Sequence, residues 1–171
     1  MSVENMRIIS VTVNIVCLII CFLLSFLYKS KGKISTKENS IYDALLLCNI
    51  VSLILELTFY LTSWTNKNDM YVSFVEKLYF ASNSIWMFLH TLYIIIITDV
   101  NLKKQFGSFT FKKKKTLTLC LMGIIALLVL LLPVQNIYEN GYLVASTGAS
   151  PTFMFLLCFI LIIIDIIMVF I

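Results

Sequence analysis

Seven polar side chains stand inside stretches that are otherwise apolar: Asn14, Asn49, Glu56, Glu76, Asn83, His90 and Asp165. Carboxyl, amide and imidazole groups in such settings can bind a ligand by hydrogen bonds, carry a charge coupled to movement, or join one helix to another. A charged side chain at mid-depth in a bilayer costs roughly 2.5–3.5 kcal/mol on insertion scales, which makes intramembrane ionisable groups functional candidates. Catalysis has little to build on here. The chain has no glycine-rich phosphate loop, no serine-nucleophile motif and no carboxylate pair suited to a soluble pocket. His90 is the one histidine and no CxxC occurs, so no zinc pattern is present and no metal or cofactor is expected in this chain. Cys17, Cys21, Cys48, Cys120 and Cys158 all fall in apolar runs, where a thiol acts as a small hydrophobe.

Residues 71–99 organise these groups. At about 100° per residue, Glu76, Tyr79, Asn83, Trp86, His90 and Tyr93 share one helical face, and the other faces are mostly Val, Ile, Leu, Phe and Met. Such a stripe must face protein or trapped water. A second stripe, Tyr42, Asn49, Ser52, Glu56, Tyr60 and Ser63, lies within an arc of about 80° on residues 41–63. Ser10, Asn14, Cys17, Cys21 and Tyr28 form a weaker third one on residues 8–28. The first two stripes are expected to satisfy each other, with Glu56, Asn83 and His90 on a common seam. The plain alternative is helix packing, with Asn, Ser and Tyr as interhelical glue worth about 0.6 kcal/mol a contact. For His90 alone, an imidazole that changes charge near physiological pH competes with a simple tautomer-fixed hydrogen bond. Asp165 has no role assignable from sequence.

A chain of 171 residues that is 60% hydrophobic and 13% charged exceeds the ~45–50% apolar share of soluble domains. Its apolar runs have the ~20-residue length that a bilayer requires. The predicted architecture is all-α, a polytopic helix bundle forming one membrane domain over residues 1–171, with spans at 8–28, 41–63, 71–99, 116–132 and 152–171. Loops at 29–40, 64–70, 100–115 and 133–151 connect them. Gly32 is expected to stop the first helix and Ser40 to cap the second. Gly123 is read as a close-packing point on a lipid-facing fourth span that Pro133 ends. Asn140-Gly141 and Gly148 mark turns in the last loop. The chain stops in apolar sequence at Ile171, and truncation before a sixth span is expected.

Ten of the thirteen basic residues fall in the loops at 29–40 and 100–115, including the run Lys112 to Lys115. Arg7, Lys67 and Lys77 are on the other side. The positive-inside bias puts the lysine loops in the cytoplasm and the N-terminus outside. The lysines then face anionic lipid, and nucleic-acid binding is not expected. Counting ~1.5 Å per residue, Glu56 lies roughly 22 Å from the inner face, Glu76 about 7 Å from the outer one, and His90 below Asn83 toward the cytoplasm.

The segment KGKISTKENSIYDALLLCNIVSLILE, through Glu38-Asn39, Ile41-Tyr42, Leu45 and Glu56, resembles the first loop and second span of the N-terminal membrane domain of sensor histidine kinases from low-GC Gram-positive bacteria. EKLYFASNSIWMFLHTLYIIIIT resembles their third span, and Leu132-Pro133 with the later Asn-Gly turn and TGASPTFMF resembles their outer loop. The resemblance implies a bacterial plasma-membrane input domain, a homodimer, and a kinase module beyond Ile171 that uses ATP and Mg and addresses a response regulator. Similar domains are attached to diguanylate cyclases, so the output type stays open. His90 lies in a span and is not the phosphoacceptor of that family. Two other readings compete with this one. The first is a small non-enzymatic assembly protein whose stripes only pack helices. The other, ranked last, is half of a transporter, for which mid-span Gly or Pro breaks are missing.

Overall fold

The computed structural model describes residues 3–30, 37–65, 69–106, 111–139 and 142–170. Its elements run α1 (Val3–Ser30), α2 (Lys37–Thr65), α3 (Asp69–Phe106), α4 (Phe111–Leu131), β1 (Gln135–Glu139), β2 (Tyr142–Thr147) and α5 (Ala149–Phe170). The predicted helical class holds. Four helices carry stretches long and apolar enough to cross a membrane: Ile8–Tyr28, Ser40–Trp64, Asp69–Ile96 and Ala149–Met168. The apolar stretch of α4 among the described residues is shorter, Cys120–Leu131.

The helices extend past the predicted spans because their polar ends cost nothing in water. Ser40 lies inside α2, which already begins at Lys37, so the expected cap at Ser40 is not one. Residues 100–106 continue α3, and 111–115 open α4. Gly32 and Asn140-Gly141 lie outside the described residues. Threonines inside the helices close their hydroxyls on the preceding turn, as Thr12 Oγ1 does on the Ile8 carbonyl at 2.8 Å and Thr58 Oγ1 on that of Ile54 at 2.7 Å. This bond shelters a hydroxyl where water is scarce. Asp69 in the first turn of α3 complements the positive end of the helix.

The chain packs around α3, which touches α2, α4 and α5. Within its apolar stretch 44% of residues are buried, against 11% for α1 and α2 and 17% for α5. Two apolar clusters fix it. Ile41 and Leu45 of α2 meet Leu92 and Ile96, with Trp86, Leu89 and Tyr93 alongside. Phe88 meets Leu157 and Leu161 of α5, with Met122 and Ile125 of α4 against them. Helix α1 packs on α2, and its Val13, Val16, Ile20, Phe22 and Phe26 point outward, the face a bilayer would cover. The outermost helix is therefore α1, whereas α4 leans on α3. Gly123 is no packing point: a Cβ added there would meet nothing within 4 Å. The Ile124, Leu127 and Leu131 side of α4 is exposed, in keeping with a lipid-facing surface.

Residues 133–151 hold an antiparallel hairpin where sequence reading placed a loop. Gln135 pairs with Thr147, Ile137 with Ala145 and Glu139 with Tyr142, and the register shifts between Ile137 and Tyr138. Gly148 joins β2 to α5 at a φ of 118°, and a Cβ there would lie 2.8 Å from the Pro133 carbonyl oxygen. That oxygen also accepts from the Ser150 amide at 3.2 Å, while Ser150 Oγ donates to the Val129 carbonyl at 3.0 Å. The end of α4 and the start of α5 are thus tied together, and the helix stops ahead of Pro133 as expected.

Candidate functional site

The polar residues of α3 separate into levels, each facing a different neighbour. At its first turns, Asp69, Ser73 and Glu76 meet the hairpin. Asn136 Nδ2 donates to Asp69 Oδ1 at 3.0 Å and to Ser73 Oγ at 2.9 Å. The Tyr138 hydroxyl donates to Asp69 Oδ1 at 2.9 Å, and Ser146 Oγ to Asn136 Oδ1 at 3.2 Å. Burial, then the hydrogen bond to Asp69 and its charge, push the Tyr138 phenol above its ordinary value. Glu76 is 2% exposed, with Ser146 and Asp69 as its polar neighbours. Its Oε2 has no hydrogen-bond partner among the described residues.

One level deeper, Tyr60 and Asn14 lie beside Glu56 of α2, and Tyr79 is close by on α3. Asn83 sits beside Tyr79, and Ser10 of α1 beside Tyr60. Asn14 is 4% exposed, and neither polar atom of its amide closes a bond of ordinary geometry. Asn14, Glu56 and Asn83 are thus neighbours in one group across α1, α2 and α3. The next contacts are tighter. Ser52 Oγ and Ser82 Oγ lie 2.7 Å apart, Cys48 Sγ donates to the Ser82 carbonyl at 3.6 Å, and Asn49 Nδ2 donates to Cys21 Sγ at 3.1 Å. Ser84, fully buried, places its Oγ 3.0 Å from the Met154 sulfur on α5.

His90 belongs to the deepest level, about 10 Å along the axis from Asn83 at ~1.5 Å per residue. Its Nδ1 lies 3.0 Å from Asp165 Oδ2 on α5. The side chain of Asp165 is 10% exposed, and its Oδ1 has no partner among the described residues. On the other side the imidazole stacks on Trp86, with centroids 5.5 Å apart and planes at 23°. Tyr28, Tyr42 and Tyr93 continue the aromatic wall across three helices, with centroid separations of 4.7 and 6.1 Å. Between α2 and α3 a cavity of about 280 Å³ is lined by Tyr42, Leu45, Leu46, Asn49, Trp86, His90 and Tyr93.

The expected common seam of Glu56, Asn83 and His90 is therefore divided. Glu56 and Asn83 share a level, Glu76 turns to the hairpin, and His90 joins Asp165 and Asn49 lower down. The division follows from packing: α3 has neighbours on three sides, so a stripe drifting around it meets α2 at one depth and α5 at another. His90 has a hydrogen-bond partner, and it is Asp165 of α5. Sequence reading passed over Ser82 and Ser84, although Ala81-Ser82-Asn83-Ser84 is the small-residue run that lets membrane helices approach closely. It also passed over Asp69 and Asn136, which carry no periodic signal.

No three His, Cys, Asp or Glu side chains among the described residues are grouped to hold a metal ion. The five cysteines are free thiols. No family model, curated protein or solved structure matches the chain. The arrangement has the parts to hold helices in register and to admit a small molecule between α2 and α3.

Proposed function

We propose that this chain is the membrane input region of a two-component sensor histidine kinase, lying multi-pass in a bacterial plasma membrane with its N-terminus outside. In this reading α4 completes a fifth span and a sixth follows Ile171. The kinase module beyond it binds ATP and Mg, acts as a homodimer and passes phosphate to a response regulator. The sequence resemblance and the lysine asymmetry support the family and the orientation.

The observation that carries the mechanism is the His90–Asp165 contact at 3.0 Å between α3 and α5. It gives α5, the last described helix, a specific polar link to the central helix at a level where the same imidazole also borders a cavity. A change at the cavity is then transmitted to α5, toward the output. A ligand acts only through unequal affinity for two helix arrangements, so the link must differ in strength between them.

The test is autophosphorylation of the full-length protein in vesicles, comparing the natural chain with His90→Phe and Asp165→Leu. An allosteric coupling of about 1 kcal/mol predicts a change in basal output of about fivefold or more, with insertion unchanged. Unaltered output in both variants would refute the coupling role. The second reading is an assembly protein without output, favoured by the Ser52–Ser82 and Ser84–Met154 contacts, which hold α3 against α2 and α5. It predicts that the same variants change partner capture or stability only.

A further inference from the structure

Where the first turns of α3 meet the hairpin, two acids stand among neutral oxygens with too few protons to go round. We infer that Asp69, Glu76, Asn136 and Ser146 form a site for a hard divalent cation of the calcium type, which bridges α3 to the hairpin at the water boundary. The inference goes beyond the sensor reading and stands whether or not an output module follows.

Glu76 is the group that points to a ligand. Its side chain is 2% exposed, yet Oε2 has no hydrogen-bond partner among the described residues. Protonation does not relieve this. A proton on Oε2 would be a donor without an acceptor, and a proton on the other oxygen leaves Oε2 an acceptor without a donor. In either state the buried oxygen calls for an added partner. Ser146 and Asp69 are the polar neighbours of this carboxyl and Tyr138 is near it, so the group is directed at the hairpin.

A count of donors selects a cation over water alone. Asn136 Nδ2 spends its two protons on Asp69 Oδ1 at 3.0 Å and Ser73 Oγ at 2.9 Å, which turns Oδ1 toward Ser146 Oγ at 3.2 Å. The Tyr138 hydroxyl spends its proton on Asp69 Oδ1 at 2.9 Å. Ser146 then has one proton for two acceptors, the Asn136 carbonyl and the Glu76 carboxyl beside it. Among the described residues neither Asp69 nor Glu76 has a salt-bridge partner. A cation satisfies several oxygens at once and offsets both acids. Carboxylate, amide and hydroxyl oxygens completed by water suit Ca²⁺, which accepts roughly six to eight oxygens in flexible geometry, and lack the nitrogen and sulfur that zinc favours. The positive end of α3 does not forbid it, because Asp69 offsets that end and Glu76 lies two turns further in.

The test places the chelator-treated protein in phosphatidylcholine nanodiscs, whose headgroups carry no net charge, and titrates it with Tb³⁺. Tyr138, hydrogen-bonded to Asp69, serves as the sensitiser of terbium luminescence. The expected result is a saturable signal that Ca²⁺ displaces with a Kd of about 10⁻⁴–10⁻³ M, the range of extracellular calcium modules, and that Mg²⁺ displaces about tenfold or more less well. Glu76→Gln and Asp69→Asn each remove one ligand charge and are expected to weaken Ca²⁺ about tenfold or more. Ca²⁺ should also slow amide exchange across residues 135–147 in the natural chain and leave it unchanged in Glu76→Gln. No saturable signal, equal displacement by Mg²⁺, or binding to Asp69→Asn as tight as to the natural chain would each overturn the inference. Asp69 is exposed, so Asp69→Asn decides the matter even if Glu76→Gln does not fold. Ca²⁺ binding in a chain whose gene stops at Ile171 would support this site while removing the sensor reading.

Discussion

Removal of either partner of the His90–Asp165 contact is predicted to have unequal effects. Asp165 is nearly enclosed, and its Oδ2 bond to His90 at 3.0 Å is its one hydrogen bond among the described residues, since Oδ1 has none. His90→Phe preserves the stacking surface against Trp86 but strands the whole carboxyl group, at a cost of about 1–3 kcal/mol. Asp165→Leu removes the carboxyl together with its burial penalty, and an apolar replacement of similar volume is close to neutral or stabilising. The double variant has no carboxyl to strand, so it should resemble Asp165→Leu. The cycle then gives a coupling energy of roughly 1–3 kcal/mol, at or above the upper end of the range for interhelical bonds in membrane proteins. Reversible denaturation of the chain in bicelles, followed by steric trapping, measures all four corners. Additivity within about 0.5 kcal/mol would refute the link.

Other outcomes follow from the same geometry. Gly148→Ala, with φ at 118° and its new Cβ 2.8 Å from the Pro133 oxygen, should destabilise the α4–hairpin–α5 junction by about 2 kcal/mol or more, seen as a lowered melting temperature. Gly123→Ala should be neutral or stabilising by up to about 1 kcal/mol in the same melt, because the Cβ meets open space and helix propensity rises. Asn136→Ala breaks the bonds to Asp69, Ser73 and Ser146, and faster amide exchange across residues 135–147 should report a loosened hairpin. Burial, with Asp69 reinforcing it, raises the folded-state pKa of Tyr138. The neutral phenol is therefore favoured by the fold, and its contribution is present below a tyrosine's ordinary 10.0 and lost as pH climbs through the higher folded value. Hairpin protection should fall over that alkaline window, and Tyr138→Phe should flatten the dependence.

The helices were legible because burial in a bilayer leaves long apolar runs, and residues 8–28 and 152–171 show this directly. The centrality of α3 was legible in its polar stripe, since a helix carrying Glu76, Asn83 and His90 must be covered on several sides. Which neighbour takes which residue was not. That depends on crossing geometry, which a helical wheel lacks, so His90 and Asp165 gave no sign of their contact across 75 positions. The hairpin was hidden by its short strands and by turn residues that read equally well as loop. Gly123 misled because a glycine in an apolar helix suggests close packing, whereas here it faces open space.

Reading the gene through the codon for Ile171 tests the central claim most directly. The proposed function predicts an open frame that continues into a further apolar span, a cytoplasmic helix with a phosphoacceptor histidine, and an ATP-binding module. A stop codon immediately after Ile171 would contradict it and leave a membrane protein whose polar contacts serve assembly alone.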